Sequence, residues 1–337
     1  MNRPEILVIN GTCLDVIEDH RAWANGQGVC VVADPSYRGA DRQSVLELAR
    51  DVEGLIGPLG FRVDREFLEQ LPKLRALSLA SSGYDSVDIE AATEAGVVVA
   101  TSPVREGAEV VADFTWGLLL SVVRRIPHHF QTLQRGGFER GMGVSVYGKT
   151  LGILGLGNIG RAVVRRSVGF NMNVIAYRAD PDSEFVKEYG VEAVGFEELL
   201  ARSDFLSIHL RLNEETRRII GPRELSMMKP TAYLVNTARD ELVDETALAD
   251  ALENGAIAGG AMDDPPRYEA DRLLHHPNFL CTPHRGNKAI EGVFQVTRCA
   301  LQSAIDILHE KRPKHLLNPE VYEARVPSTA KKEASTR

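Results

Sequence analysis

The stretch from Thr150 to Gly160, Thr-Leu-Gly-Ile-Leu-Gly-Leu-Gly-Asn-Ile-Gly, constrains this chain more than any other. Leu151–Leu154 is short and mostly apolar, which predicts a buried strand. Gly155, Gly157 and Gly160 follow at GxGxxG spacing, and Ile159, Ala162, Val163 and Val164 open a helical pattern. Glycine suits each position: the chain must turn sharply, its backbone must approach a pyrophosphate, and the helix must pack tightly on the strand. The first N–H groups of such a helix are unpaired and favour an anion. Between a strand and a helix, the fingerprint predicts a dinucleotide site at Gly155, Gly157, Asn158, Ile159 and Gly160.

The next predicted strand, Val174–Tyr177, should end near a residue that reads the adenosine ribose. Arg178 stands eighteen positions after Gly160 (178 − 160), and Asp180 two later. Arg178 would pair with a 2′-phosphate and favour NADP, whereas Asp180 would reach the ribose diol and favour NAD. The sequence leaves both open; NAD is the primary expectation.

A chain of 337 residues predicts two domains. The net charge of −8 argues against a general nucleic-acid binder. No apolar run reaches the length of a membrane span, and the run at Ile6–Ile9 is too short for a signal-peptide core. Cys13, Cys30, Cys281 and Cys299 lie far apart without metal-type spacing. A cytoplasmic protein with reduced thiols and no bound metal is expected.

Residues 1–100 alternate short apolar runs with amphipathic stretches, which predicts a parallel sheet covered by helices. The strand candidates are Ile6–Ile9, Val29–Ala33, Leu55–Ile56, Ala76–Leu79 and Val97–Ala100. Ser81-Ser-Gly-Tyr-Asp85 follows the fourth of these, where backbone N–H groups can hold an anion. Glu109–Ile126 predicts a long helix, and Phe130–Gly148, rich in glycine and arginine, an extended arm. Later strands at Phe205–Leu210, Ala232–Val235, Ile257–Ala261 and Phe279–Cys281 deliver Asn236-Thr-Ala-Arg239, Met262-Asp263 and Thr282-Pro-His284 to one sheet edge. Ile290–Leu308 reads as a long helix returning to the first domain.

Several segments together resemble the NAD(P)-dependent D-2-hydroxyacid dehydrogenases, the family of phosphoglycerate and glycerate dehydrogenases. They are Ser82–Asp88, Val111–Leu120, Gly148–Gly160, Ser203–Leu210, Met228-Lys-Pro230, Val235–Arg239 and Thr282-Pro-His284. The resemblance implies an α/β fold of two open parallel-sheet domains facing each other across a cleft. One is a discontinuous flavodoxin-like substrate domain, 1–101 and 288–325; the other is a central Rossmann nucleotide domain, 102–287. Residues 326–337, small, polar and charged, are expected to be a disordered tail. The resemblance also implies a homodimer formed through the nucleotide domain and hydride transfer between a nicotinamide and a small 2-hydroxy or 2-oxo acid; the charge and the apolar runs described above give the expectation of no nucleic-acid or membrane partner. Arg239 would hold the substrate carboxylate, His284 would be the acid/base, and amides near Ser82 and Gly83 would bind the carboxylate. Asp263 would orient the carboxamide, with His209, Thr237 and Ala238 also at the cofactor.

Those residue types suit the chemistry. Histidine exchanges a proton near neutrality, and arginine grips a planar carboxylate while staying charged. The chain departs from the family where a glutamate before proline usually pairs with the histidine. Glu269, fifteen positions before His284 (284 − 269), is the candidate, in a loop that looks shortened. Asp240-Glu241 replaces a usual glycine pair, and Arg211 a usual proline. Arg105 and Arg285 are also atypical, which suggests a second anionic group on the substrate, such as a phosphate or phosphonate. The alternative function is a dinucleotide-sensing scaffold of the corepressor type, for which the doubtful acid leaves room.

Overall fold

The computed structural model describes residues 3–325, so the expected tail at 326–337 lies outside the described residues. The chain divides into two compact units, one formed up to Gly107 and again from Lys288 onward, the other by Ala108–Asn287.

The first unit holds β1 (Glu5–Val8), β2 (Cys30–Ala33), β3 (Gly54–Gly57), β4 (Ala76–Leu79) and β5 (Val98–Ala100). They form an all-parallel sheet in the order β2-β1-β3-β4-β5, the flavodoxin-like arrangement. Parallel strands covered on both sides are apolar throughout, which makes these short runs legible in the sequence. Alternate residues serve opposite faces. Ile6, Val8 and Ile56 pack with Ala300, Leu301 and Ile305 of the helix Ile290–Leu308, while Leu7, Leu55 and Leu77 pack on the other side.

The second unit holds β6 (Thr150–Leu154), β7 (Asn173–Tyr177), β8 (Glu192–Ala193), β9 (Phe205–Ile208), β10 (Tyr233–Asn236), β11 (Gly259–Met262) and β12 (Phe279–Cys281). These pair in parallel in the order β12-β11-β10-β9-β6-β7-β8. This is the doubly wound Rossmann order. The chain reverses direction across the sheet between β6 and β9, the switch point at which such sheets bind ligands.

The segment before β6 differs from expectation. The long helix is Arg105–Val123, and Phe130 lies in a second helix, Ile126–Gln134. Arg125 takes a left-handed backbone conformation (φ +52°) that breaks the first helix, and Pro127 in the first turn starts the next. Only the stretch after Gln134 is irregular. Among the described residues, no helix is long and apolar enough to cross a membrane.

Candidate active site

The glycine loop leaves β6 at the switch point. Gly155 has φ +104°, and a Cβ there would lie 3.0 Å from the His209 carbonyl oxygen at the end of β9. A Cβ on Gly160 would lie 2.3 Å from the Gly155 carbonyl oxygen, so the helix Asn158–Ser167 packs on the loop only with glycine there. Gly157 and Asn158 are exposed, and a Cβ on Gly157 would meet nothing within 4 Å. The loop thus presents bare backbone and the unpaired start of a ten-residue helix to open space, a cradle that fits a pyrophosphate. The half-buried Ile159 packs into the core of this unit.

His209 adds a second fitting feature. Its Nε2 lies 2.8 Å from Ser207 Oγ, and its Nδ1 is buried without a partner. Burial lowers its pKa to about 3, so the ring is neutral and keeps one polar atom for a ligand. Arg178 and Asp180 follow β7, both exposed. Arg178 takes φ +58° and lies over the Tyr177 ring at 5.6 Å. Asp180 accepts the Asp182 N–H at 3.0 Å.

Beyond β10, the turn bearing Arg239 is tied by Asn236. Its Oδ1 accepts the Ala238 N–H at 3.0 Å, and its Nδ2 donates to the Arg239 carbonyl at 2.7 Å. Thr237 Oγ1 lies 2.8 Å from Thr115 Oγ1 on the helix Arg105–Val123. Arg239 Nη1 donates to the Ala238 carbonyl at 2.7 Å, and its charge reaches the His284 imidazole.

Asp263 and Asp264 follow β11. Asp263 is 5% exposed. It accepts from Thr282 Oγ1 (2.7 Å), the Arg285 N–H (2.7 Å) and the Gly286 N–H (2.6 Å). It is therefore committed first to fastening the loop that carries His284. That loop holds His284 at φ +53°.

His284 Nδ1 meets Asp264 Oδ1 at 2.8 Å. The side chains are 50% and 19% exposed. The Asp264 hydrogen bond raises the imidazole pKa above its ordinary value against the opposing effect of burial; the Asp264 charge adds to the rise, Arg239 lowers it and Asp263 raises it. This corrects the expectation for Glu269, whose carboxylate accepts from Thr246 Oγ1 at 2.9 Å and pairs with Arg272 at 3.3 Å. The acid on the histidine is the residue directly before Pro265, twenty positions ahead of His284. The acid–proline pair is the signal available in the sequence; counting fifteen positions back from His284 leads to Glu269 instead.

Ser82 and Gly83 lie in the first unit after β4, where Ser81 Oγ donates to the Gly83 carbonyl at 2.7 Å. Arg105 begins the helix Arg105–Val123, still in the first unit, and Arg285 is exposed beside His284. Among the described residues, one group has metal-ligand chemistry, His128, His129 and Glu139. Glu139 already bonds His128 at 2.9 Å, and Arg125 lies 3.7 Å from it, so a cation there would face a guanidinium.

The chain is similar to known proteins of one family. The family model described as D-isomer specific 2-hydroxyacid dehydrogenase, NAD binding domain, matches residues 116–286. A glyoxylate reductase of Korarchaeum cryptofilum is 36% identical over 295 residues, 85% of this chain and 89% of the relative. A D-3-phosphoglycerate dehydrogenase of Methanocaldococcus jannaschii is 39% identical over 255 residues, 74% of this chain and 48% of the relative. The crystal structure of a glyoxylate reductase from Paecilomyes thermophila superposes with a TM-score of 0.81 at 30% identity, covering 95% of this chain and all of that one (100%).

Proposed function

The chain belongs to the D-isomer-specific 2-hydroxyacid dehydrogenases, oxidoreductases that act on CH–OH donors with a nicotinamide cofactor, and on that premise we propose that it interconverts a small 2-hydroxy acid and its 2-oxo acid with His284 as the acid/base, Asp264 as its carboxylate partner and Arg239 as the carboxylate clamp. One observation carries the reading: the His284 ring is held at Nδ1 by Asp264 while it feels the Arg239 charge. When bound, the nicotinamide accepts or donates the hydride.

The chain's own residues manage the rest. An ionised carboxylate only accepts, so Asp264 keeps a proton on Nδ1 and leaves Nε2 for the substrate. In the reducing direction Nε2–H gives its proton to the substrate carbonyl oxygen, and in the oxidising direction neutral Nε2 takes the hydroxyl proton. Asp264 favours the imidazolium, which suits the reducing direction. Arg239, planar and permanently charged, would hold the carboxylate. Gly155, Gly157, Asn158 and Gly160 would hold the pyrophosphate, with His209, Thr237, Ala238 and Asp263 toward the nicotinamide end.

The glyoxylate reductase names of relatives such as the Korarchaeum protein favour a 2-oxo acid of glyoxylate's size. A second anionic group on the substrate is favoured only by the exposed Arg285 and by Arg105. The doubtful acid is what leaves room for the scaffold reading, and the hydrogen bond between Asp264 and His284 supports the enzyme instead. NAD is the proposed cofactor through Asp180; NADP would be favoured by Arg178. Free cysteines suit a reducing cytoplasm. We also assign a homodimer through the second unit, because Ile126, Phe130, Leu133, Phe138, Met142 and Tyr147 expose large apolar side chains within one short arm.

The test is a panel of 2-oxo acids, with and without a phosphate or phosphonate, with each reduced nicotinamide. His284→Ala is expected to lose about a hundredfold or more in turnover while still binding cofactor. Absence of turnover by the native chain across the panel, with cofactor bound, would favour the scaffold. If Arg285→Ala leaves every doubly anionic substrate unaffected, the second-anion idea fails.

A further inference from the structure

The segment after Asp264 is fastened by an unusual arrangement of charges. Glu245 is 8% exposed, and its carboxylate accepts three consecutive backbone N–H groups: Arg267 (2.9 and 3.0 Å), Tyr268 (2.8 Å) and Glu269 (3.3 Å). The Arg267 side chain turns to Asp240, the residue after Arg239, with Nε 2.6 Å from Oδ2 and Nη2 3.3 Å from Oδ1. Asp240 is 3% exposed, and burial raises its pKa, with Arg267 opposing and the Asp264 and Glu245 charges adding to the rise. Asp240 stands where the family usually has glycine.

A buried carboxylate that accepts several N–H groups fixes the backbone offering them. Between that backbone and Asp264 stand only Pro265 and Pro266. Proline locks φ near −65°, so the linkage is stiff and a displacement at Arg267 passes to Asp264. Aspartate is one methylene shorter than glutamate, so its reach to His284 tolerates little drift.

We propose that Glu245, together with the Asp240–Arg267 pair, is a positioning clasp that sets the Asp264 carboxylate against His284 Nδ1. It touches neither substrate nor cofactor and acts through the diproline. The proposal rests on the reading of Asp264 and His284 given above. The charges of Asp264, Arg239 and Asp263 act on the imidazole, whereas Glu245 bonds the backbone N–H groups of residues 267–269, so its removal acts through geometry.

The experiment measures kcat, KM and the pH profile of kcat/KM, alongside cofactor affinity by fluorescence titration. The variants are Glu245→Ala, Glu245→Gln, Arg267→Met, Asp264→Asn and Glu245→Ala/Asp264→Asn. Glu245→Ala is expected to lower kcat by about ten- to a hundredfold. It should move the pH profile in the same direction as Asp264→Asn and keep cofactor affinity within about twofold. Glu245→Gln, which retains an acceptor oxygen, restores part of the loss, and Arg267→Met gives a smaller shift of the same sign. The double variant is no worse than Asp264→Asn alone. If Glu245→Ala does not fold, Glu245→Gln and Arg267→Met carry the test. The clasp is overturned if those variants keep the native profile while Asp264→Asn shifts it, or if the double variant shows the product of the single losses. If Asp264→Asn itself leaves the profile unmoved, the acid/base reading fails instead.

Discussion

Asp264→Asn tests the site at its centre, because it removes one charge and keeps the shape. Two unit charges 2.8 Å apart attract by about 1.5 kcal/mol in bulk water and about 6 kcal/mol at an effective dielectric of about 20. Half of the His284 side chain is exposed, at 50%, so solvent screening removes much of the larger figure. About 2–3 kcal/mol of support for the imidazolium remains, which at about 1.4 kcal/mol per tenfold is a loss of about 30- to 150-fold in reductive kcat/KM at pH values above the native pKa, and a smaller loss below it. The direction of the pH effect follows from protonation. Reduction needs His284 charged, so activity is present below its pKa and lost as pH rises through it. The Asp264 hydrogen bond holds that pKa above the ordinary histidine value, so asparagine should move the falling limb to lower pH. The assay is the initial rate of reduced-nicotinamide oxidation with a 2-oxo acid across the pH range. A variant with native kcat/KM and a superimposable profile would refute the pairing as a source of catalysis.

Three other outcomes are expected. Gly160→Ala forces a Cβ to 2.3 Å from the Gly155 carbonyl oxygen; fluorescence titration should show cofactor affinity down at least about tenfold, and thermal melts a stability loss of about 1–3 kcal/mol. Arg178→Ala is expected to weaken NADPH far more than NADH if the guanidinium meets a 2′-phosphate; equal effects on both dissociation constants count against that contact. Phe130→Glu combined with Met142→Glu, placed on the exposed apolar arm, should yield monomers by light scattering, and an unchanged mass would move the dimer contact elsewhere.

Much of the fold can be read from the sequence because strands buried on both faces leave apolar runs such as Ile6–Val8 and Phe205–Ile208. β8 is invisible there for the opposite reason: Glu192–Ala193 is two exposed residues at a sheet edge, with no pattern to betray it. Phe130 reads as part of an irregular arm because glycines and arginines dominate the residues after it, although Pro127 marks a helix start. At the site, Arg239 and His284 are visible through their flanking motifs. Asp264 is marked only by the proline that follows it, and a position counted along the chain misses it because the loop is stiffened by two prolines and takes its own course. Asp240 and Glu241 stand out only as odd replacements, since ion pairing between distant segments leaves no local periodicity.

Asp263 and Asp264 leave β11 side by side, one gripping the His284 loop and the other the imidazole. The reacting pair is therefore moored to a single strand end. The helix Ala270–His275 and the turn to Asn278 form an excursion that departs from this mooring and comes back to it. Such a segment is a natural place for insertions, because none of the hydrogen bonds that Asp263 and Asp264 make to residues 282–286 passes through it.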